Sequence, residues 1–173
     1  MKLRRIVAVA ALLGAVLILV ACGGNAPPPT QGAQSMALVQ RDGGEGGVTA
    51  EAIWVTAEHL KEMENNVTLP NDLSGYVLVH LALDTHTVDL NGYDLLGLAT
   101  LQGREAMAMA PVRWIGIQES SHHRDGLLAF PGESNEAWAS QEGMAELTLR
   151  QIAQVSERSL RWEFPTTKEE GNG

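Results

Sequence analysis

A strictly alternating segment at residues 76–84 constrains the fold of this chain more than any other feature of its sequence. One set of positions carries Val77, Val79, Leu81 and Leu83, and the intervening set carries Leu78, His80, Ala82 and Asp84. Successive side chains of a β-strand point to opposite faces of the sheet, so this alternation predicts a strand with one buried face. The strand needs partner strands and a second layer that covers its apolar face.

Five further segments show strand patterns, at residues 48–56, 112–117, 126–130, 145–152 and 160–164. Turn-forming residues separate them, at 70–72, 91–92, 102–103 and 125–126. Short strands at this spacing predict an all-β, immunoglobulin-like antiparallel β-sandwich of about seven strands over residues 48–165. Residues 56–64 favour a helical turn instead, and residues 93–101 favour a short helix or an irregular crossover.

The N-terminal segment has the order of an export signal. Lys2, Arg4 and Arg5 precede an apolar run over residues 6–21, with no acidic residue among them. That run has 16 residues, whereas a helix that spans a bilayer needs about 20. The run ends at Cys22, and polar, proline-rich sequence follows. We therefore expect the protein to be exported.

The sequence Leu19-Val20-Ala21-Cys22 resembles the lipobox of bacterial lipoprotein signals. The resemblance implies cleavage of a signal peptide at residues 1–21 and lipid attached to Cys22. Each buried methylene contributes about 0.8 kcal/mol, and two or three chains on one residue would hold the protein on a membrane. The expected location is the outer face of the cytoplasmic membrane, or the outer membrane if the host has one. The alternatives are an ordinary secretory signal and an uncleaved anchor.

Cys22 is the only cysteine of the chain. The mature domain therefore has no disulfide and no thiolate metal ligand, which excludes a blue-copper site. Removing residues 1–21 takes away three positive charges and no negative one, so the formal charge changes from −9 to −12. Such an acidic domain repels nucleic acid and favours cationic partners.

Residues 22–47 are predicted to form a flexible tether, because Pro27-Pro28-Pro29 and three Gly-Gly pairs leave little apolar material for a core. The polar residues 166–173 are predicted to be a disordered tail. The sandwich would then lie close to the membrane without entering it.

Histidine and aspartate are the candidate ligands of this domain. His86 and Asp84 lie at the end of the best strand, and His122 and His123 lie in a loop between two others. Strand ends and loops meet at the ends of a sandwich, so these four residues are predicted to form a copper or zinc site. In the alternative interpretation, Asp84 and Thr85 cap a turn, His86 bonds to backbone, and His122 and His123 are solvated.

A second resemblance covers residues 48–164. It rests on the sequence Leu-Asp-Thr-His-Thr-Val-Asp-Leu at 83–90, then Trp114, His-His-Arg at 122–124, Gly126, Phe130-Pro131 and Arg161-Trp162. This set resembles small uncharacterised immunoglobulin-like envelope domains of bacteria and archaea. The resemblance implies one coherent domain and no particular activity.

The sequence therefore predicts a non-enzymatic, lipid-anchored binding module outside the cytoplasm. The most specific ligand that it predicts for this module is a copper or zinc ion. The alternative is a structural or protein-binding envelope lipoprotein without a metal. A hydrolase is more distant: Ser120-Ser121-His122 puts a nucleophile beside a base, but no Gly-x-Ser-x-Gly motif accompanies it.

Overall fold

The alternating segment forms the middle strand of a five-stranded sheet, in a computed structural model that describes residues 38–103, 108–140 and 143–164. The predicted signal at 1–21, the lipidated Cys22, the tether before residue 38 and the tail at 166–173 lie outside these residues. No helix within the described ranges is long and apolar enough to cross a membrane.

The described residues form nine strands and three α-helices. The strands are β1 (Val39–Arg41), β2 (Val48–Trp54), β3 (Tyr76–Thr85), β4 (Ala99–Gln102), β5 (Ala108–Met109), β6 (Arg113–Glu119), β7 (His123–Pro131), β8 (Gly143–Ile152) and β9 (Val155–Phe164). The helices are α1 (Ala57–Glu64), α2 (Leu95–Leu98) and α3 (Asn135–Ala139).

The strands form two antiparallel sheets, in the orders β1-β2-β3-β7-β6 and β5-β4-β8-β9. In an immunoglobulin domain the chain-ordered strands A to G form the sheets A-B-E-D and C-F-G. Here β2-β3-β7-β6 and β4-β8-β9 follow the same two orders, with β1 and β5 added as short edge strands. The prediction of an all-β, immunoglobulin-like antiparallel sandwich is confirmed.

The sandwich includes residues before 48. Strand β1 lies inside the segment that the sequence assigned to the tether, and it pairs with β2 through Val39↔Ile53 and Arg41↔Glu51. Its three residues are too few to give an alternating pattern. Backbone hydrogen bonds to a formed edge stabilise it, and the sequence pattern alone does not reveal that edge.

Strand β3 separates its faces as the alternation predicts. Val77, Val79, Leu81 and Leu83 are at most 1% exposed and lie between the sheets. Trp54 and Trp162 pack against each other in the same core, with ring centroids 5.5 Å apart. On the outer face of β3, Leu78 joins a second apolar cluster with Leu127 of β7 and Met63 of α1.

Helix α1 confirms the helical interpretation of residues 56–64. Thr56 caps it, because its Oγ1 accepts a hydrogen bond of 3.2 Å from the backbone N–H of His59. The helix and the following loop cover part of the outer face of the five-stranded sheet through Met63 and Leu73. Residues 93–101 contain the four-residue helix α2 and then the start of β4.

The sandwich has two distinct ends. At the entry end the carbonyl of Leu38 accepts hydrogen bonds from the backbone N–H of Trp54 and the indole of Trp162, and Phe164 pairs with Gly143. At the far end lie the segments 42–47, 86–98, 120–122 and 153–154, which connect strands β1 to β2, β3 to β4, β6 to β7 and β8 to β9. Strand β3 spans about 30 Å between these ends.

Candidate functional site

Two members of the predicted metal set are in contact at the far end. Asp84 of β3 pairs in register with His123, the first residue of β7. The Asp84 carboxylate contacts the Nδ1 atom of His123. Both side chains remain accessible, with exposures of 56% for Asp84 and 46% for His123. The strand register thus brings together a carboxylate and an imidazole that are 39 residues apart in the chain.

The other two members lie close by in the backbone. The carbonyl of His122 accepts a hydrogen bond of 3.0 Å from the N–H of Thr85, and His86 follows Thr85 directly. Both His86 and His122 are exposed. Within the described ranges, however, no group of three or more histidine, cysteine, aspartate or glutamate side chains is arranged to hold a metal ion. The structure thus places all four residues at one end and joins the side chains of Asp84 and His123.

The turn before β7 is stabilised by Ser120. Its hydroxyl oxygen accepts hydrogen bonds from the backbone N–H groups of His122 and His123, at 3.2 and 3.0 Å. This local bonding explains the tight turn that precedes β7. The Ser120 hydroxyl bonds to backbone atoms of His122 and His123, whereas a nucleophile would need an imidazole nitrogen beside it.

A second imidazole cluster lies on the outer face of the five-stranded sheet, and the sequence interpretation missed it. His59 of α1 and His80 of β3 face each other, with His59 Nε2 and His80 Nδ1 3.1 Å apart. His80 Nε2 lies 2.9 Å from Oδ1 of Asp125 on β7. Alternation alone puts His80 on this face, but its contact with His59 depends on how α1 docks across the sheet, which no local pattern encodes.

These contacts define the hydrogen-bond roles. An ionised carboxylate only accepts, so the Nε2 atom of His80 carries the hydrogen that it donates to Asp125. When the His80 ring is neutral, its Nδ1 atom presents a lone pair that can accept from the Nε2–H of His59. Burial lowers the pKa of His59 from its ordinary 6.5, and His80 lowers it further, against smaller opposing effects of Glu62 and Asp125. The net effect favours the neutral form of His59.

Both imidazole–carboxylate pairs lie on one face of the sheet. His80 and Asp84 are on β3, and His123 and Asp125 are on the neighbouring β7. The register of the two strands places all four residues on the outer face of the sheet. We name this surface the histidine–aspartate face and define it by His59, His80, Asp84, His123 and Asp125. It extends from His59 on α1 to the far end, and it places imidazole rings beside carboxylates.

A third polar cluster, formed by Trp114, Glu119 and Arg124, links the segment 86–98 to the five-stranded sheet through hydrogen bonds. The Arg124 guanidinium donates to Oε1 of Glu119 at 2.9 Å and to the carbonyl of Tyr93 at 2.7 Å. The indole of Trp114 also donates to Glu119, at 2.9 Å. The Trp114 hydrogen bond lowers the pKa of Glu119, and Arg124 lowers it further. These bonds hold the loop that carries His86 in a fixed place.

A buried ion pair holds the other far-end loop. The side chain of Arg158 is 1% exposed and donates to the Asp42 carboxylate at 2.6 Å and to the carbonyl of Glu45. Tyr93 adds a link across the same end, since its hydroxyl oxygen accepts from the N–H of Ala153 at 3.0 Å. The far-end loops are thus bonded to one another and to the sheets.

Comparison with protein-family models, with curated proteins and with solved structures found no match.

Proposed function

We propose that this protein is a lipid-anchored, extracytoplasmic binding module that presents the far end of its sandwich to a partner in the cell envelope. The observation that carries the proposal is the position of the chain entry. The carbonyl of Leu38 accepts hydrogen bonds from Trp54 and Trp162 at the entry end. A lipid on Cys22 would therefore connect the membrane to the entry end of the sandwich. The far-end loops then face away from the membrane.

Two properties of the far end support its role as the binding surface. Arg158 of β9 bonds to segment 42–47, and Tyr93 joins segment 86–98 to segment 153–154. The N–H of Leu90 also donates to the carbonyl of Ser121 in segment 120–122, at 2.8 Å. These bonds preorganise the surface that the four segments form. The hairpin β8–β9 also places Gln151, Ala153 and Gln154 at positive φ values between 53° and 63°. Strained backbone of this kind concentrates at functional surfaces.

The anchor is tested by replacing Cys22 with serine in the full chain. The variant should lose the mass of the lipid and move from the detergent phase to the aqueous phase in a phase-partition experiment, because a thioether cannot form on serine. Ser35→Ala is a matched control in the same tether and should stay in the detergent phase. Retention of Cys22→Ser in the membrane fraction would refute lipidation.

The binding surface is tested by site-specific photo-crosslinking in intact cells. A photoreactive residue at the exposed Gln154 reports on the far end, and the same residue at the exposed Ser74 reports on the entry end. The proposal expects discrete envelope-protein adducts from position 154 and none from position 74. Adducts from position 74 alone, or from neither position, would contradict it.

A second candidate function is copper or zinc binding at the far end through Asp84, His86, His122 and His123. The contact between Asp84 and His123 favours it, because a carboxylate and an imidazole are two suitable ligand types already side by side. Calorimetric titration with Cu²⁺ and Zn²⁺ should then show affinity that the double variant Asp84→Asn, His123→Gln loses. Unchanged affinity of that variant would remove this candidate.

A further inference from the structure

We propose that His59 and His80 bind one divalent first-row transition ion, with Asp125 positioning His80 and water occupying the remaining coordination positions. This site lies on the histidine–aspartate face and uses neither His86, His122 nor His123. On β3, His80 is four residues from Asp84, a separation of about 13 Å along the strand. The two candidate metal sites therefore have separate ligands.

The distance between the two imidazoles fits a shared ion. Zinc–nitrogen bonds of about 2.0–2.1 Å in tetrahedral geometry place two ligand nitrogens about 3.3 Å apart. His59 Nε2 and His80 Nδ1 are 3.1 Å apart and face each other. A small outward movement of His59, which is carried by a surface helix, would admit the ion between the two nitrogens. His59 would then carry its hydrogen on Nδ1, so that Nε2 offers a lone pair.

Asp125 prepares His80 for this role. Metal-binding histidines usually donate their second ring N–H to a carboxylate or carbonyl group, which fixes the tautomer and the ring orientation. His80 has this arrangement: its Nε2 lies 2.9 Å from Asp125, which leaves Nδ1 as the free lone pair directed at His59. The side chain of His80 is 16% exposed and that of Asp125 is 33% exposed, so water can reach the site while the pair stays ordered.

The imidazole ligands and the nearby carboxylates indicate which metal ions the site would bind. Neutral imidazole suits copper, zinc and nickel and does not suit magnesium or calcium. Glu62 lies one helical turn after His59 on α1, and its charge acts on His59 together with that of Asp125. Both carboxylates lower the cost of bringing a dication to the site.

The experiment titrates the full chain, with Cys22→Ser so that no thiol competes, using Cu²⁺ alone and Zn²⁺ alone. Calorimetry measures the affinity and stoichiometry, and electron paramagnetic resonance counts the nitrogens on Cu²⁺. We expect one ion per chain at this site, with two imidazole nitrogens. His59→Gln should weaken binding at least 10-fold, and Asp125→Asn should weaken it about 10- to 100-fold without removing a ligand.

His86→Gln, His122→Gln and His123→Gln distinguish this site from the far-end candidate, since each removes an exposed far-end imidazole and none removes a ligand of the His59–His80 site. An ion held by His59 and His80 should bind these three variants as tightly as the parent chain. Circular dichroism and the melting temperature verify that each variant is folded. Loss of binding in these three variants but not in His59→Gln would assign the ion to the far end and overturn the proposal. Absence of binding tighter than millimolar in the parent chain would also overturn it, and would leave His59 and His80 as a hydrogen-bonded pair that seats α1.

Discussion

The indole Nε1 of Trp162 donates a hydrogen bond of 2.6 Å to the carbonyl of Leu38, a residue 124 positions earlier in the chain. Trp162 lies in β9, at one edge of the four-stranded sheet, and Leu38 leads into β1, at one edge of the five-stranded sheet. The bond therefore joins the two sheets along their open side. It also fixes the point at which the N-terminal segment enters the sandwich.

Replacing Trp162 with phenylalanine should therefore destabilise the protein more than the same change at Trp54. Both indoles are 1% exposed, so the two substitutions remove similar buried volume. The Nε1 of Trp54, in contrast, is buried without a hydrogen-bond partner among the described residues, so its removal relieves an unsatisfied group. The difference in unfolding free energy should be about 1 kcal/mol or more. Urea denaturation measures it, and equal losses would contradict the role of the Leu38 bond.

Asn135 provides a second test of a buried polar contact. Its side chain is inserted beside β3, where Oδ1 accepts from the N–H of Leu78 at 2.7 Å and Nδ2 donates to the Leu78 carbonyl at 2.8 Å. Asn135→Leu leaves that backbone N–H without its acceptor, so we expect a loss of about 2–4 kcal/mol in unfolding free energy. Denaturant titration gives the value.

Asn135→Asp separates the two bonds of this side chain. The aspartate keeps an acceptor for the N–H of Leu78 but replaces the donor to the Leu78 carbonyl with a second acceptor. In the ionised carboxylate one acceptor oxygen then faces the carbonyl oxygen of Leu78, so the stability of the variant should improve as the pH falls and the carboxyl group becomes protonated. Equal stability of Asn135→Leu and the parent chain would show that the contact is unimportant.

The sequence predicted much of the sandwich because the strands with one buried face carry a visible alternation. Strands β3 and β8 are the clearest cases, and the segment at 145–152 became Gly143–Ile152 with its apolar positions buried. Strand β1 was missed because three residues cannot show a period. Strand β4 was missed because the Leu-rich segment around it also suits a helix, which α2 in fact forms just before it.

The two histidine clusters differ in how far the sequence predicts them. The proximity of Asp84 and His123 is predictable from the sequence. Asp84 lies near the end of one strand and His123 at the start of another, and these two strands are neighbours in an immunoglobulin-like sheet. The contact between His59 and His80 is not predictable from the sequence, because it depends on how α1 docks on the sheet. The tertiary packing of Met63 and Leu73 determines that docking. The sequence contained the alternation that exposes His80 on the outer face, but no signal for its partner.

Glu119 gives a pH-dependent contribution to stability whose sign follows from its contacts. Hydrogen bonds from Trp114 and Arg124 hold its pKa below the ordinary 4.5, so the folded state prefers the ionised carboxylate. This contribution is complete above pH 4.5 and is lost as the pH falls through the folded-state pKa. Glu119→Gln should remove it, so the variant should lose less stability than the parent chain between pH 5 and pH 3.

Thermal melts across this pH range measure the effect. Glu133→Gln is the matched control, because Glu133 is exposed in the loop after β7. Its stability should follow the parent curve at every pH. A Glu119→Gln curve parallel to that of the parent would contradict the assigned role of the Trp114 and Arg124 bonds, since it would mean that Glu119 titrates identically in the folded and unfolded states.

A substitution in the hairpin at the far end should stabilise the protein, unlike the substitutions of Trp162 and Asn135. Ile152 pairs with Val155, so Ala153 and Gln154 form a two-residue turn, with φ values of 53° and 63°. A turn with positive φ at both central residues favours glycine at the second position, because glycine lacks the Cβ that makes this conformation unfavourable. Gln154→Gly should therefore stabilise the protein by about 0.5–1 kcal/mol.

Ser156→Gly is the control for this substitution. Ser156 is exposed like Gln154 but lies in β9, where glycine adds only backbone freedom to the unfolded chain. That variant should be destabilised by about 0.5–1 kcal/mol, so the two melting temperatures should move in opposite directions. A fall in the melting temperature of Gln154→Gly would show that the glutamine side chain contributes more to the far end than its backbone strain costs.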